Sequence, residues 1–189
     1  WRGTTLGGGA AMPSPYSYSS MSMFERCPQQ YAHKYVWKTP APERPLDLYM
    51  TCGSVVHTLL EKAHQTALAQ KEISKEQALD MLPLIWQHAL AESPIPISAE
   101  DVTPFIQKSA ANVEWYFQTH FEAEKSATIS VEKKLLYPLN PIRKQWVIGF
   151  VDRVSQPDEG KIIIHDYKTG SKKLSTKSLG NDFQATLYG

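Results

Sequence analysis

The feature that most constrains the fold is a change of period at Thr128. Upstream of it, apolar residues recur at helical spacing. Val56, Leu59, Leu60, Ala63 and Ala67 form the stripe of a helix expected from about Cys52 to Gln70. Leu79, Leu82, Ile85, Trp86 and Ala89 mark a second helix over 74–92, broken by Pro94 and Pro96. Phe105, Ile106, Ala110, Val113, Phe117 and Phe121 mark a third over 99–124, whose Trp115-Tyr116-Phe117 cluster reads as core. From Thr128 the spacing is that of strands. TISVEKKLLY and QWVIGFVDRV flank the turn residues Pro138, Asn140 and Pro141, and QPDEG leads into a third strand, Lys161–Lys168. Connections this short favour an antiparallel meander. The expected class is α/β with α+β-like order: N-terminal helices, then a mixed, largely antiparallel central sheet flanked by helices.

The chain has 189 residues, 42% of them hydrophobic, enough for one domain with a full core. We place it at 17–189, with a helical part at 17–127 and a sheet and active-site part at 128–189. Residues 1–16, with glycines at 3, 7, 8 and 9, read as disordered or linker. Ser19 or Ser20 is the expected cap of a first helix carrying Met21 and Phe24, and Pro28 suits the first turn of a short second one. Residues 39–51 read as a further linker. The sequence opens on Trp1 and ends at Gly189 within what reads as a last helix, so a C-terminally truncated fragment is expected. The 20 basic residues against 19 acidic ones give no global field for a polyanion, so any nucleic-acid binding must come from a local patch. Cys27 and Cys52 form no CxxC pair, no run has the length of a membrane span, and no secretory leader is visible; a cytoplasmic protein without a membrane partner is expected.

The chemistry gathers at Ile162–Gly170. Three isoleucines lead into Asp166, Tyr167 and Lys168, and Thr169-Gly170 ends the run. Strand alternation puts Ile162, Ile164, Asp166 and Lys168 on one face and Ile163, His165 and Tyr167 on the other. By itself an Asp-x-Lys at a strand end is as well explained by a salt bridge. Asp152, at the end of the neighbouring strand, adds a second carboxylate. With the backbone carbonyl of Tyr167 and waters, the set suits Mg2+ or Mn2+, and such a site suits phosphate chemistry. Lys168 is then the group that orients or deprotonates water or steadies developing charge. His57, in the first turn of its helix, offers an imidazole to complete the coordination. A metal face of His57, Glu61 and His64 would need a second Glu-x-x-His copy, which the sequence lacks. Gly170-Ser-Lys-Lys is likewise no phosphate-binding loop.

These residues, in this order, resemble the PD-(D/E)XK nuclease superfamily, and more narrowly its RecB-type exonuclease branch. Ser17-x-Ser19 with Met21, Phe24, Cys27-Pro28 and Tyr31 resembles the N-terminal signature. Gly53-x-x-x-His57, Gly149-Phe-Val-Asp152-Arg153, Asp166-Tyr-Lys168-Thr-Gly170 and Gln184-x-x-x-Tyr188 resemble the four motifs that follow. The resemblance implies His57, Asp152, Asp166 and the Tyr167 carbonyl as metal ligands and Lys168 as the catalytic lysine. Gln184 and Tyr188 would hold DNA, and Glu132 is a minor candidate. Read from the residues themselves, the lysines of the 172–177 loop, Lys172 and Lys173 among them, form with Arg153 the expected local positive patch for phosphates, and Thr169 is a further DNA-binding candidate. It implies a metal-dependent DNase, an exonuclease acting on DNA in repair or recombination, with a helicase as a common partner. The alternative is a catalytically silent DNA-binding or scaffold module of the same fold. Cys27 has the place of the first ligand of a 4Fe–4S cluster found in CRISPR-associated relatives. The three later cysteines do not occur before Gly189, so no cluster is expected in this chain; cysteines beyond that point would reverse the expectation.

Overall fold

The structure is a computed structural model, and it describes residues 15–170. Gln184, Tyr188, Lys172 and Lys173 lie outside the described residues. The chain divides into two compact units, one of residues 1–39 and 134–149, the other of residues 40–133 and 150–189. The long strands β2, Thr128–Asn140, and β3, Gln145–Asp158, contribute to both.

The smaller unit begins with β1, Tyr16–Ser17, which pairs in parallel with Val147–Ile148 of β3. The sequence placed Tyr16 in a linker; its pairing makes the sheet mixed. Ser17, two residues before the first expected cap, Ser19, caps α1, Tyr18–Arg26. Its side chain accepts from the Ser20 amide at 3.2 Å while Ser20 Oγ accepts from the Ser17 amide at 2.9 Å, a reciprocal capping box. Cys27 caps α2, Pro28–Tyr31, its sulfur accepting from the Gln30 amide at 3.4 Å, and Pro28 occupies the first turn as expected. A π turn, Ala32–Val36, follows.

The larger unit holds the main core. α3, Leu48–Leu68, buries Val55, Val56, Leu59, Leu60 and Ala63. It starts within the expected linker because the Asp47 carboxylate accepts from the Tyr49 and Met50 amides. The helix expected over 74–92 is two, α4 (Lys75–Asp80) and α5 (Leu82–Ala91). Pro83 lacks an amide hydrogen and fits only the first turn of a new helix. α6, Ala99–Tyr116, lies against α3 and continues through a π turn, Phe117–Phe121, into the short α7, Glu122–Glu124. Trp86, Val113, Tyr116, Phe117 and Phe121 are buried, as the core reading required, but Trp115 is 57% exposed. Ser109 joins the layers: its hydroxyl accepts from the Trp86 indole at 3.3 Å and donates to the Phe105 carbonyl at 2.9 Å.

β4, Lys161–His165, runs antiparallel to β3, with Arg153 opposite His165 and Val154 opposite Ile164. Gly160, at φ 79°, makes the turn between them, a conformation that favours glycine. The sheet order is β1-β3-β2, with β4 also on β3, so the fold is α/β with a mixed four-stranded sheet. β4 ends at His165, not Lys168, and Ile162 and Ile164 are 55% and 37% exposed.

His64 of α3 is fully buried. Its Nε2 pairs with the Tyr116 hydroxyl at 2.8 Å and its Nδ1 with Thr128 Oγ1 at 3.0 Å. Burial first, then the positive Arg153 and His165, push its pKa down from 6.5 to about 3. The folded chain keeps this imidazole neutral while the unfolded chain protonates it. Stability is therefore present above pH 6.5 and is lost as pH falls from there towards 3. We expect the urea midpoint to fall more steeply between pH 7 and 4 for the wild type than for His64→Asn. Identical slopes would exclude His64 as the group responsible.

Candidate active site

The site is built around the backbone of one residue, Tyr167, just past the end of β4. Its amide N–H donates to Asp152 Oδ2 at 2.6 Å, and its carbonyl oxygen lies 2.9 Å from His57 Nε2. His57 Nδ1 is in turn 3.3 Å from Asp152 Oδ1. Helix α3 thus supplies His57, β3 supplies Asp152, and the segment after β4 joins them. Lys168 Nζ and Asp166 Oδ2 form an ion pair at 2.6 Å on the same segment. His57, Asp152, Asp166, Tyr167 and Lys168, all singled out from sequence, are adjoining.

Gly53 shows why α3 can approach so closely. It lies one turn before His57, and a Cβ there would come within 3.0 Å of Thr169 Oγ1. Any side chain at position 53 would press on the segment that carries the Asp-x-Lys pair. Thr169, a DNA-binding candidate from sequence, is half-buried beside α3.

The Tyr167 side chain anchors this backbone from behind. Its hydroxyl accepts from Arg153 Nε at 3.1 Å and lies 3.2 Å from the Tyr116 hydroxyl, and its ring meets His57 and Tyr116 edge to face. Here one expectation is corrected. Arg153, assigned to the phosphate-binding surface, is fully buried. Its guanidinium pairs with Glu124 and donates to His165 Nδ1 at 2.8 Å and to Thr128 Oγ1 at 3.3 Å. His165 Nε2 then faces Ser155 Oγ at 2.7 Å. Burial, then the Arg153 charge, hold the His165 pKa below its ordinary range, which suits an imidazole accepting from a guanidinium. Glu124, His165 and Tyr116 were not read from sequence as site residues. Strand alternation already put His165 on the face of Tyr167, while Glu124 and Tyr116 come from a distant helix with no local signal.

The electrostatics favour a cation on the Asp152 side. Burial is the largest influence on His57 and lowers its pKa. The hydrogen bond and charge of Asp152, the Tyr167 carbonyl and the Asp166 charge outweigh it, so the pKa is raised. Burial, then the negative Asp152 and Glu61, raise the pKa of Glu132. Glu132 also has φ 46°, a left-handed conformation that costs a non-glycine residue about 1–3 kcal/mol and is found most often at functional sites. Among the described residues no three His, Cys, Asp or Glu side chains form a metal-binding cluster. The donors nevertheless fit a divalent ion in kind: carboxylates, a carbonyl and an imidazole. A cavity of about 520 Å³, lined among others by Trp115, His120, Asp166, Lys168 and Thr169, opens beside the pair.

An acid and a lysine just past the end of a strand thus lie near a second carboxylate and a histidine, on an α/β fold with a mixed sheet. The family model of the PD-(D/E)XK nuclease superfamily matches residues 15–189, and the chain belongs to that superfamily. Its fold is accordingly the restriction-endonuclease-like one, and its members are mostly metal-dependent nucleases. No curated protein matches the chain. The described residues contain no helix long and apolar enough to cross a membrane.

Proposed function

We propose that this chain is a Mg2+- or Mn2+-dependent deoxyribonuclease of the RecB-type branch. It would act as an exonuclease on phosphodiester bonds during repair or recombination, in company with a helicase. The observation that carries the reading is the joining of Asp152 and His57 through the Tyr167 backbone, with the Asp166–Lys168 pair next in the chain. Asp152, Asp166, the Tyr167 carbonyl and His57 are the residues that would hold the ion. When bound, the metal polarises a phosphoryl oxygen and makes bound water acidic enough to supply hydroxide near neutral pH. The Tyr167 amide fixes the Asp152 carboxylate, which would orient His57 through Nδ1 while Nε2 gave up its hydrogen bond to the Tyr167 carbonyl in favour of the ion. Lys168 Nζ hydrogen-bonds the attacking water and the charge that grows on the phosphate oxygens. Gln184 and Tyr188, with Lys172 and Lys173, are proposed to hold the DNA.

The reading is tested by incubating a labelled oligonucleotide with Mg2+, with Mn2+ or in excess EDTA. Cleavage is expected with the metals and none in EDTA; full activity in EDTA would sink the reading. Binding without cleavage in every metal would make the protein a silent module of the same fold. For the ligands, Asp166→Asn and His57→Ala are expected to weaken Mn2+ binding in calorimetric titration by at least the roughly 10- to 100-fold that loss of an outer-shell partner costs. Unchanged affinity in either variant would remove that residue from the ligand set.

A further inference from the structure

The even charge of the whole chain hides a segregation between the two units. In the smaller unit, residues 15–39 and 134–149 carry six basic side chains, Arg26, Lys34, Lys38, Lys134, Arg143 and Lys144, against one acidic residue, Glu25. The chain's 20 basic and 19 acidic residues thus leave 14 and 18 for everything else. All six cations are exposed. The same unit is rich in aromatic rings. Phe24 meets Tyr31 edge to face at 5.4 Å, Tyr31 meets Tyr35 at 4.9 Å, and Lys34 lies over the Tyr35 ring at 5.4 Å.

Phe24 and Tyr31, with Tyr16, Met21 and Leu139, line a cleft of about 660 Å³. That is within the roughly 300–1,000 Å³ of pockets that take small ligands. Phe24 remains 52% exposed and Leu139 60% exposed. Asn140 and Gln145 also line it, and the turn between these two residues contains Arg143 and Lys144. The Asn140 side chain fixes that turn by accepting from the Arg143 amide at 3.0 Å. Glu25 is the acidic member of the lining.

Exposed aromatic side chains on a unit with an excess of exposed cations are the chemistry of a surface for unpaired nucleic acid: rings stack on bases, cations track phosphates. We propose that this unit is a platform for single-stranded DNA, with bases on Phe24 and Tyr31 and phosphates on Arg143, Lys144 and Lys34. The commitment to DNA over an apolar peptide rests on the six-to-one charge excess, which a polyanion complements. The inference deepens the nuclease reading, from which it takes the kind of nucleic acid bound.

The test is fluorescence anisotropy of a labelled oligothymidylate in EDTA, where no cleavage competes, repeated at several salt concentrations. Phe24→Ala should weaken binding about tenfold with the salt slope unchanged, because it removes stacking and not charge. The double variant Arg143→Gln, Lys144→Gln should reduce the slope of log K against log salt by about 1.4, the value for two phosphate contacts on a single strand. The side chains replaced are exposed, and circular dichroism checks that the variants fold. Wild-type affinity and slope in both variants would overturn the proposal and leave the cleft to another kind of partner. Hydrolysis of bis(p-nitrophenyl) phosphate by the wild type with Mn2+ tests the nuclease reading separately. Turnover with indifferent binding variants overturns the platform alone; no turnover on any substrate, with binding that the variants weaken, overturns the nuclease alone.

Discussion

Lys168→Ala is expected to lower kcat for DNA cleavage roughly 10²–10⁴-fold, the usual contribution of a positioned proton-transfer or charge-stabilising group. Oligonucleotide affinity in EDTA should not change, because the role assigned to Lys168 belongs to the transition state. The ion pair adds a second expectation. Lys168 Nζ is 2.6 Å from Asp166 Oδ2, so the ammonium competes with a metal for that carboxylate. Its removal should leave Mn2+ affinity equal or higher while activity collapses. Loss of DNA binding in parallel with cleavage would make Lys168 a binding residue, and loss of Mn2+ affinity would mean that it positions Asp166.

Arg153→Ala should produce the largest loss of stability in the molecule. The side chain is 1% exposed, and it satisfies Tyr167, Thr128, His165 and Glu124 together. Removing one partner of a buried ion pair costs about 3–5 kcal/mol. Glu124 keeps 32% exposure and can regain some water, which puts the expectation near the lower figure. For a chain of this length, about 3 kcal/mol corresponds to a fall in Tm of roughly 6–12 °C. Arg153→Lys should fall between the two proteins, since an ammonium keeps the charge but not the planar fork. Thermal unfolding measures both. An Arg153→Ala protein as stable as wild type would show that the buried network is replaceable.

The same arginine shows how far the sequence could be read. Grouped with the lysines of residues 172–177 it suggests a phosphate contact, but alternation along β3 argues otherwise. Val147, Gly149, Val151, Arg153 and Ser155 form one buried row, with Asp152 facing the other way. Two valines in register with an arginine are enough to place it inward. The α3 stripe was legible because five apolar positions fix one face of a helix. His57 and Asp152 were legible because each sits on a regular element whose direction is known. The division of α4 from α5 turned on Pro83, which a continuous apolar stripe masked. The left-handed Glu132 and the tight approach at Gly53 depend on contacts between distant segments, which no local pattern carries. The charge platform went unseen because the chain's totals cancel; it emerges only when residues 15–39 and 134–149 are counted as one body.

The way Tyr167 joins Asp152 to His57 has a consequence for which sequence changes this centre tolerates. The amide nitrogen and carbonyl carbon of one residue are two bonds apart, through Cα, a separation set by covalent geometry that is nearly the same for every amino acid. The gap between the two partners is therefore measured against a ruler that no replacement of residue 167 can lengthen, except proline, which lacks the hydrogen. Insertions and deletions between His165 and Lys168 are another matter. A single added residue would shift the ruler out of register, with every functional side chain still present in the sequence.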